Sequence, residues 1–261
     1  MSISDKLTQI AENEQKVYNA GYEKGKSEGG DSERAYNQGV EDGKKAEYDA
    51  FWDAYQDYGR RTDYANCFSG RGWSENTFKP KYDIVTSNSY MLFRYCGIKD
   101  LGEALRAIRK RVVIGDKMLN LSFSNTLLEI IDGVEIDGVK TSYAQCFNYS
   151  SRLREIRVPL PTNETTGLDA FGGCGALEEV RFDGTIGTST LNLSWSTKLS
   201  KASIENVISC LSATTSGLTV TFSKTAVNTA FETADGAADG STSTEWTTLI
   251  ATKQNWTISL V

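Results

Sequence analysis

The chain has 261 residues, with 28 Lys+Arg against 34 Asp+Glu for a net charge of −6, and 39% of its residues are hydrophobic. That balance describes a folded protein with room for one elongated domain or two compact ones, and it argues against a dedicated nucleic-acid binder, which gathers Lys and Arg on one surface. No run of about 18 apolar residues occurs, so no membrane-spanning helix is expected, and the start "MSISDKLTQIAENEQKV" lacks the basic and apolar parts of a secretory signal. Histidine is absent, which removes Ser-His-Asp and Cys-His catalysis and histidine-based zinc sites. The five cysteines are odd in number and contain no C-x-x-C pair. They are expected as reduced, buried thiols acting as small hydrophobes, and neither a disulfide framework nor a metal site is expected.

In chain order, Ile3, Leu7, Ile10 and Val17 follow spacings of three and four, broken by the polar Glu14. This heptad-like stripe predicts a helix through the first 27 residues, with those four side chains as candidates for coiled-coil self-association. "YNAGYEKGKSEG" (18–29) and "YNQGVEDGKKAE" (36–47) are two versions of one sequence, 18 residues apart. Each glycine weakens a helix by about 1 kcal/mol relative to alanine, so the segment is expected to gain order by self-association or by docking on a partner. "AGYEKGKS" (20–27) fits a relaxed phosphate-loop pattern, but no buried strand precedes it, so nucleotide binding is not expected. Tyr48, Phe51, Trp52 and Tyr55 then share one helical face and read as packing. Residues 1–58 are therefore expected as a helical attachment or oligomerisation segment.

The middle of the chain carries a different rhythm. "AFGGCGALEEVRF" (170–182) places Phe171, Cys174, Leu177 and Val180 at every third residue and Phe182 two further on, which fits neither an α-helix nor a strand. "SSRLREIRVPL" sets Leu153, Ile156 and Val158 in the pattern L-x-x-I-x-V, and Leu177, Val180 and Phe182 repeat it 24 residues later. Phe147 and Phe171 each stand six residues ahead of the leucine. Tyr-Ala-x-Cys-Phe occurs at both Tyr64 and Tyr143, and looser copies run through Phe93 to Leu101 and Leu127 to Ile136.

The pattern has the form of a leucine-rich repeat, in which stacked copies bury faces that one copy cannot bury alone. It resembles the bacterial BspA-type leucine-rich repeats, whose core is F-x-x-C-x-x-L-x-x-I. The alternative is that related segments of an ordinary α/β domain imitate a repeat. The predicted fold is thus α+β, with a helical N-terminal segment, a short irregular leucine-rich-repeat solenoid over 59–195 and an α/β cap over 196–261.

Between the core positions, Arg154, Glu155, Arg157, Glu178, Glu179 and Arg181 alternate in charge. Arg154, Arg157, Glu179 and Arg181 are the candidate binding residues, since solenoids usually bind through such a strand surface. "RAIRKR" (106–111) reads as a solvated helix face, with Arg106, Arg109 and Lys110 on one side. The Asp-Gly pairs of "DGVEIDG" and "DGAADG" read as turns, not calcium loops. In the last segment Ser200 is a helix cap ahead of the buried face Ile204, Val207, Ile208 and Leu211. "GLTVTFS" alternates as a strand, "KTAVNTAF" and "TEWTTLIATKQ" are helices, and "NWTISLV" is a final strand.

Stretches such as "LTQIAENEQKVYNAG", "GWSENTFKPKYDI" and "SGLTVTFSKTAVNTAFE" are similar to leucine-rich-repeat proteins encoded by phages and prophages of gut bacteria. The resemblance implies a non-enzymatic virion protein, structural or host-attaching in the manner of a tail fibre, assembled in the bacterial cytoplasm. It would be homo-oligomeric through its N-terminal helix, would bind a protein or glycan receptor, and would need no cofactor. A soluble cytoplasmic effector that binds a host protein is the alternative, and a polysaccharide-cleaving enzyme using two carboxylates is a third.

Overall fold

Segments of two to seven residues rich in β-branched and apolar side chains, separated by turns, make strands too short to be stable singly. In this computed structural model they pair in parallel. Residues 73–80, 82–115, 119–138, 142–162, 168–232 and 239–261 are described, with 19, 65 and 68–70 as isolated positions. The chain divides into two units, Met1–Arg61 with Lys79–Tyr82, and Thr62–Phe78 with Asp83–Val261. Nearly all of the first lies outside the described residues, and every strand and helix named below belongs to the second.

The elements are β1 (Ile84–Thr86), α1 (Leu101–Ile108), β2 (Val112–Ile114), β3 (Ile130–Ile131), β4 (Val134–Ile136), β5 (Glu155–Pro161), β6 (Glu179–Asp183), β7 (Leu191–Leu193), α2 (Lys201–Cys210), β8 (Thr219–Phe222), α3 (Lys224–Ala230), α4 (Thr244–Ala251) and β9 (Thr257–Leu260). A single 3-10 turn, Gly240–Thr242, precedes α4. Three of the helices start on a side-chain cap that satisfies an otherwise orphaned N–H. Asp100 accepts from the Glu103 N–H, Ser200 from Ser203 and Ser243 from Trp246. The strands form three separate sheets in the orders β1-β2-β4, β3-β5-β6 and β7-β8-β9.

That topology corrects the expected α+β fold built on a leucine-rich-repeat solenoid. A solenoid needs one continuous ladder whose register passes unchanged through every copy. Here β3 and β4, only two residues apart across the Asp132–Gly133 turn, go to different sheets. The left-handed Gly133, at φ 67°, lets the chain change direction between them. The two 24-residue copies do meet, Glu155 opposite Glu179 and Ile156 opposite Val180, but the register then slips so that Leu160 faces Phe182. The described residues form a mixed α/β arrangement of small parallel sheets with four helices, the case in which related segments imitate a repeat. Of the third sheet, β8 and β9 fall in the segment 196–261 expected as a cap, with α2, α3 and α4, whereas β7 comes from the segment expected as the repeat body. The helical, coiled-coil segment of residues 1–58, with Ile3, Leu7, Ile10 and Val17, lies outside the described residues.

Opposite the strands, the three-residue rhythm becomes a ladder of turns. The N–H groups of Met91, Phe93 and Tyr95 donate forward to the carbonyls of Asn120, Ser122 and Ser124, while those of Leu92, Arg94 and Cys96 donate back to Ser89, Met91 and Phe93. Leu121, Phe123 and Asn125 reach Ala144, Cys146 and Asn148 in the same way, and Gln145, Phe147 and Tyr149 reach Asp169, Ala170 and Gly172. Alternate N–H groups are thus used locally and between turns, which accounts for the buried backbone polar groups. The geometry requires left-handed residues at Met91, Tyr95, Leu121, Asn125, Gln145 and Tyr149, with φ from 52° to 62°. Each costs about 1–2 kcal/mol, and the hydrogen bonds offset that cost.

The phenylalanines of successive turns stack. Phe68 on Phe93, Phe93 on Phe123, Phe123 on Phe147 and Phe147 on Phe171 lie 5.3–5.7 Å apart with interplanar angles of 13–24°. Such offset stacking adds to what burial alone contributes. Phe147, Leu153, Ile156, Phe171, Cys174, Leu177 and Val180 are all at most 3% exposed.

Candidate functional site

Strand alternation puts Ile156, Val158 and Leu160 of β5 inward and Arg157 and Pro159 outward, and in β6 it exposes Glu179, Arg181 and Asp183. The four residues singled out from the sequence meet different fates on this face. Arg157 donates from Nε to Glu155 at 2.8 Å and lies 3.8 Å from Asp132. The hydrogen bond and charge of Glu155 hold its guanidinium above the usual arginine range. Arg154 stands 3.9 Å from Glu129 and 4.0 Å from Glu155. Glu179 accepts a hydrogen bond from the Ser203 hydroxyl at 3.1 Å. Arg181 makes no ion pair among the described residues. Arg154 and Arg157 are therefore brought together, but within an acidic network that neutralises them. Exposed pairs of this kind contribute little to stability, yet they leave little positive charge for an incoming anion.

Beside them is an open groove of about 380 Å³ between β4 and the β5-β6 pair, lined by Val134, Ile136, Val158, Pro159, Pro161 and Asp183 among others. Glu135 and Asp183 are the carboxylates of its lining, and Glu135 stands 3.9 Å from the Arg111 guanidinium.

The basic stretch after α1 is also divided. Its helix ends at Ile108, and Arg109 turns left-handed at φ 53°. Arg106, Arg109 and Lys110 consequently do not continue along one helical face. Arg106 bonds Asp132 at 3.0 Å, and Arg111 bonds Asp83 at 3.2 Å. Gly133 and Gly138 adopt positive φ, as Asp-Gly turns require. Among the described residues no group of three His, Cys, Asp or Glu could hold a metal ion. The candidate phosphate loop at 20–27 lies outside the described residues.

The thiols are set for packing. Burial pushes both Cys96 and Cys174 up to about 12, so neither supplies a thiolate at neutral pH. The Cys174 thiol instead donates to the Phe147 carbonyl at 3.0 Å, and burial raises the half-buried Cys210 as well.

The ladder of turns carries a surface that sequence reasoning missed. Tyr95, Tyr149 and Trp195 are 51%, 67% and 60% exposed, each directly ahead of a buried small residue, Cys96, Ser150 or Ser196. The inter-turn hydrogen bonds set Tyr95 beside Asn125, Asn125 beside Tyr149, and Tyr149 beside Gly173. Past the last of these inter-turn bonds, the Ser196 hydroxyl donates to the Cys174 carbonyl at 3.4 Å, and the Trp195 carbonyl lies 3.7 Å from where a Cβ on Gly175 would stand. At Gly173, φ is 76° and a Cβ would meet the Tyr149 ring at 3.3 Å, so the glycine makes room for that ring. Arg94 lies over the Tyr95 ring at 4.7 Å and donates to its hydroxyl at 3.0 Å. An aromatic immediately before the small core residue of a turn was the signal available in the sequence.

Comparison with protein-family models, with curated proteins and with solved structures finds no match for this chain.

Proposed function

We propose that this is a non-enzymatic binding protein, a structural or host-attachment component of a phage or prophage particle that engages a protein or glycan receptor. The observation that carries the binding reading is the exposure of the aromatic side chains Tyr95, Tyr149 and Trp195. Large aromatic side chains left in water on an otherwise well-buried scaffold are the residue types that dominate recognition surfaces. The phage setting rests on the resemblance of "LTQIAENEQKVYNAG" and its companion stretches. The neutralised network around Arg154 and Arg157 favours a receptor held by stacking and neutral hydrogen bonds over an anionic one.

Two measurements test the proposal. Mass spectrometry of purified particles is expected to detect the chain, and its absence would refute the structural role. The full chain is expected to bind intact host cells, and the double variant Tyr149→Ala/Trp195→Ala to lose that binding. Undiminished binding by the double variant would remove these aromatics from the proposal.

A further inference from the structure

The two sheets that part at Gly133 leave an unpaired strand edge between them. Just past β4, the Asp137 N–H donates to the Ile114 carbonyl of β2, and strand alternation puts the Glu135 peptide groups on that same side. The N–H and C=O groups of Val134 and Ile136 therefore face away from β2, along the groove toward β5. They have no hydrogen-bond partner among the described residues.

The facing strand cannot pair with this edge. The Thr162 N–H donates to the Asp183 carbonyl of β6, so Leu160 also turns its peptide groups to β6, while those of Pro159 and Pro161 face the groove. A proline has no N–H to give, and the Pro161 carbonyl is taken by the Tyr143 hydroxyl at 2.7 Å. The prolines thus keep β4 from zipping onto β5, beside an edge whose own donors and acceptors are complete.

Strand alternation also sorts the side chains of the groove. Val134 and Val158 are buried and Ile136 is half-buried on the inward side, whereas Glu135 and Asp183 are exposed at its border. The Arg111 guanidinium near Glu135 already bonds Asp83 at 3.2 Å. The Asp183 carboxylate makes no ion pair among the described residues, and neither Arg157 nor Arg181 lines the groove. The border is acidic, so its complement is basic. A second copy of this chain, at a net charge of −6, has the wrong sign to fill it. A volume of about 380 Å³ suits a short segment better than a folded surface.

We propose that this groove binds a short, extended, basic peptide segment of a partner protein, which adds to β4 as a further strand. Its alternate apolar side chains turn inward onto Val134, Ile136 and Val158. The intervening Lys or Arg side chains lie along Glu135 and Asp183, and its backbone satisfies the free N–H and C=O groups of Val134 and Ile136. The groove shares no residue with the exposed aromatics Tyr95, Tyr149 and Trp195, so it is a second contact surface on the same chain.

Isothermal titration calorimetry of the full chain with acetyl-Val-Lys-Val-Lys-Val-amide tests this. That peptide is expected to bind about tenfold or more tighter than acetyl-Val-Glu-Val-Glu-Val-amide. Methylating alternate amide nitrogens of the basic peptide gives two further probes. In a paired strand one alternate set of amides points at β4 and the other away, so one probe is expected to bind about tenfold more weakly and the other nearly as before. Asp183→Asn is expected to weaken the basic peptide about threefold, the scale of one exposed ion pair. Ile136→Pro removes a donor that β2 does not use and is expected to weaken it about tenfold, with folding checked by thermal unfolding. Should that variant fail to fold, the methylated peptides decide the matter on the native chain. Tyr149→Ala/Trp195→Ala is expected to leave peptide binding unchanged. No binding of the basic peptide overturns the proposal, as does equal binding of the acidic one, equal tolerance of both methylated probes, or loss of peptide binding in the aromatic double variant.

Discussion

Phe123 is the central ring of the phenylalanine stack, fully buried and lying 5.5 Å from Phe93 and 5.7 Å from Phe147 at interplanar angles of 14° and 13°. Replacing it with alanine removes a buried benzyl group and leaves a cavity between two rings that the ladder of turns holds apart. Phe→Ala in a core costs about 3–5 kcal/mol. Losing two stacked pairs, each about 0.5–1.5 kcal/mol, places Phe123→Ala in the upper part of that range. Phe123→Leu keeps most of the volume and is expected to cost about 1.5 kcal/mol. Urea unfolding followed by far-ultraviolet circular dichroism measures both as shifts of midpoint at constant slope. A double-mutant cycle adds a second readout. Phe123→Ala and Phe147→Ala are expected to couple by about 0.5–3 kcal/mol, whereas Phe123→Ala and Phe222→Ala, in different parts of the fold, should add within about 0.5 kcal/mol. A loss below about 1 kcal/mol for Phe123→Ala, the centre of the distribution for point substitutions of every kind, would refute the stack as an organising element.

The thiols and one carboxylate provide further tests. Because burial raises Cys96 and Cys174 to about 12, and Cys146 is buried too, these three should resist a thiol reagent in the native chain at about pH 8, where an exposed cysteine reacts readily. Mass mapping should find them labelled only after denaturation, and rapid native labelling of Cys174 would contradict its packing. Burial alone would raise the Glu75 carboxyl, but the N–H groups of Lys99 and Asp100 that it accepts, the first at 2.6 Å, hold it below the ordinary value of 4.5. A depressed folded value means the ionised form stabilises the fold above pH 4.5 and that this contribution disappears as pH falls through the folded value. The stability difference between the native chain and Glu75→Gln should therefore be constant near neutrality and shrink on acidification below 4.5. A difference that grows instead would reverse the assigned sign.

What the sequence determined by itself is local. Ser200 caps α2, and the side chains of Ile204, Val207, Ile208 and Leu211 are at most 2% exposed, because a cap and a helical stripe are set by residues a few positions apart. The every-third apolar pattern marked Phe171, Cys174, Leu177 and Val180 as interior for the same reason. The pattern says which side chains leave water, however, and not which ladder they join. Tertiary structure decided that β3 and β4 part into different sheets, that the β5-β6 register slips after Ile156, and that three short sheets take the place of one solenoid. It also decided that Arg154 meets Glu129 and Arg157 meets Asp132, and that Tyr95 and Tyr149 come to equivalent positions on separate turns. These outcomes depend on hydrogen bonds and ion pairs between residues more than twenty positions apart, where pairing energies compete among several neighbours and local periodicity carries no information about the winner.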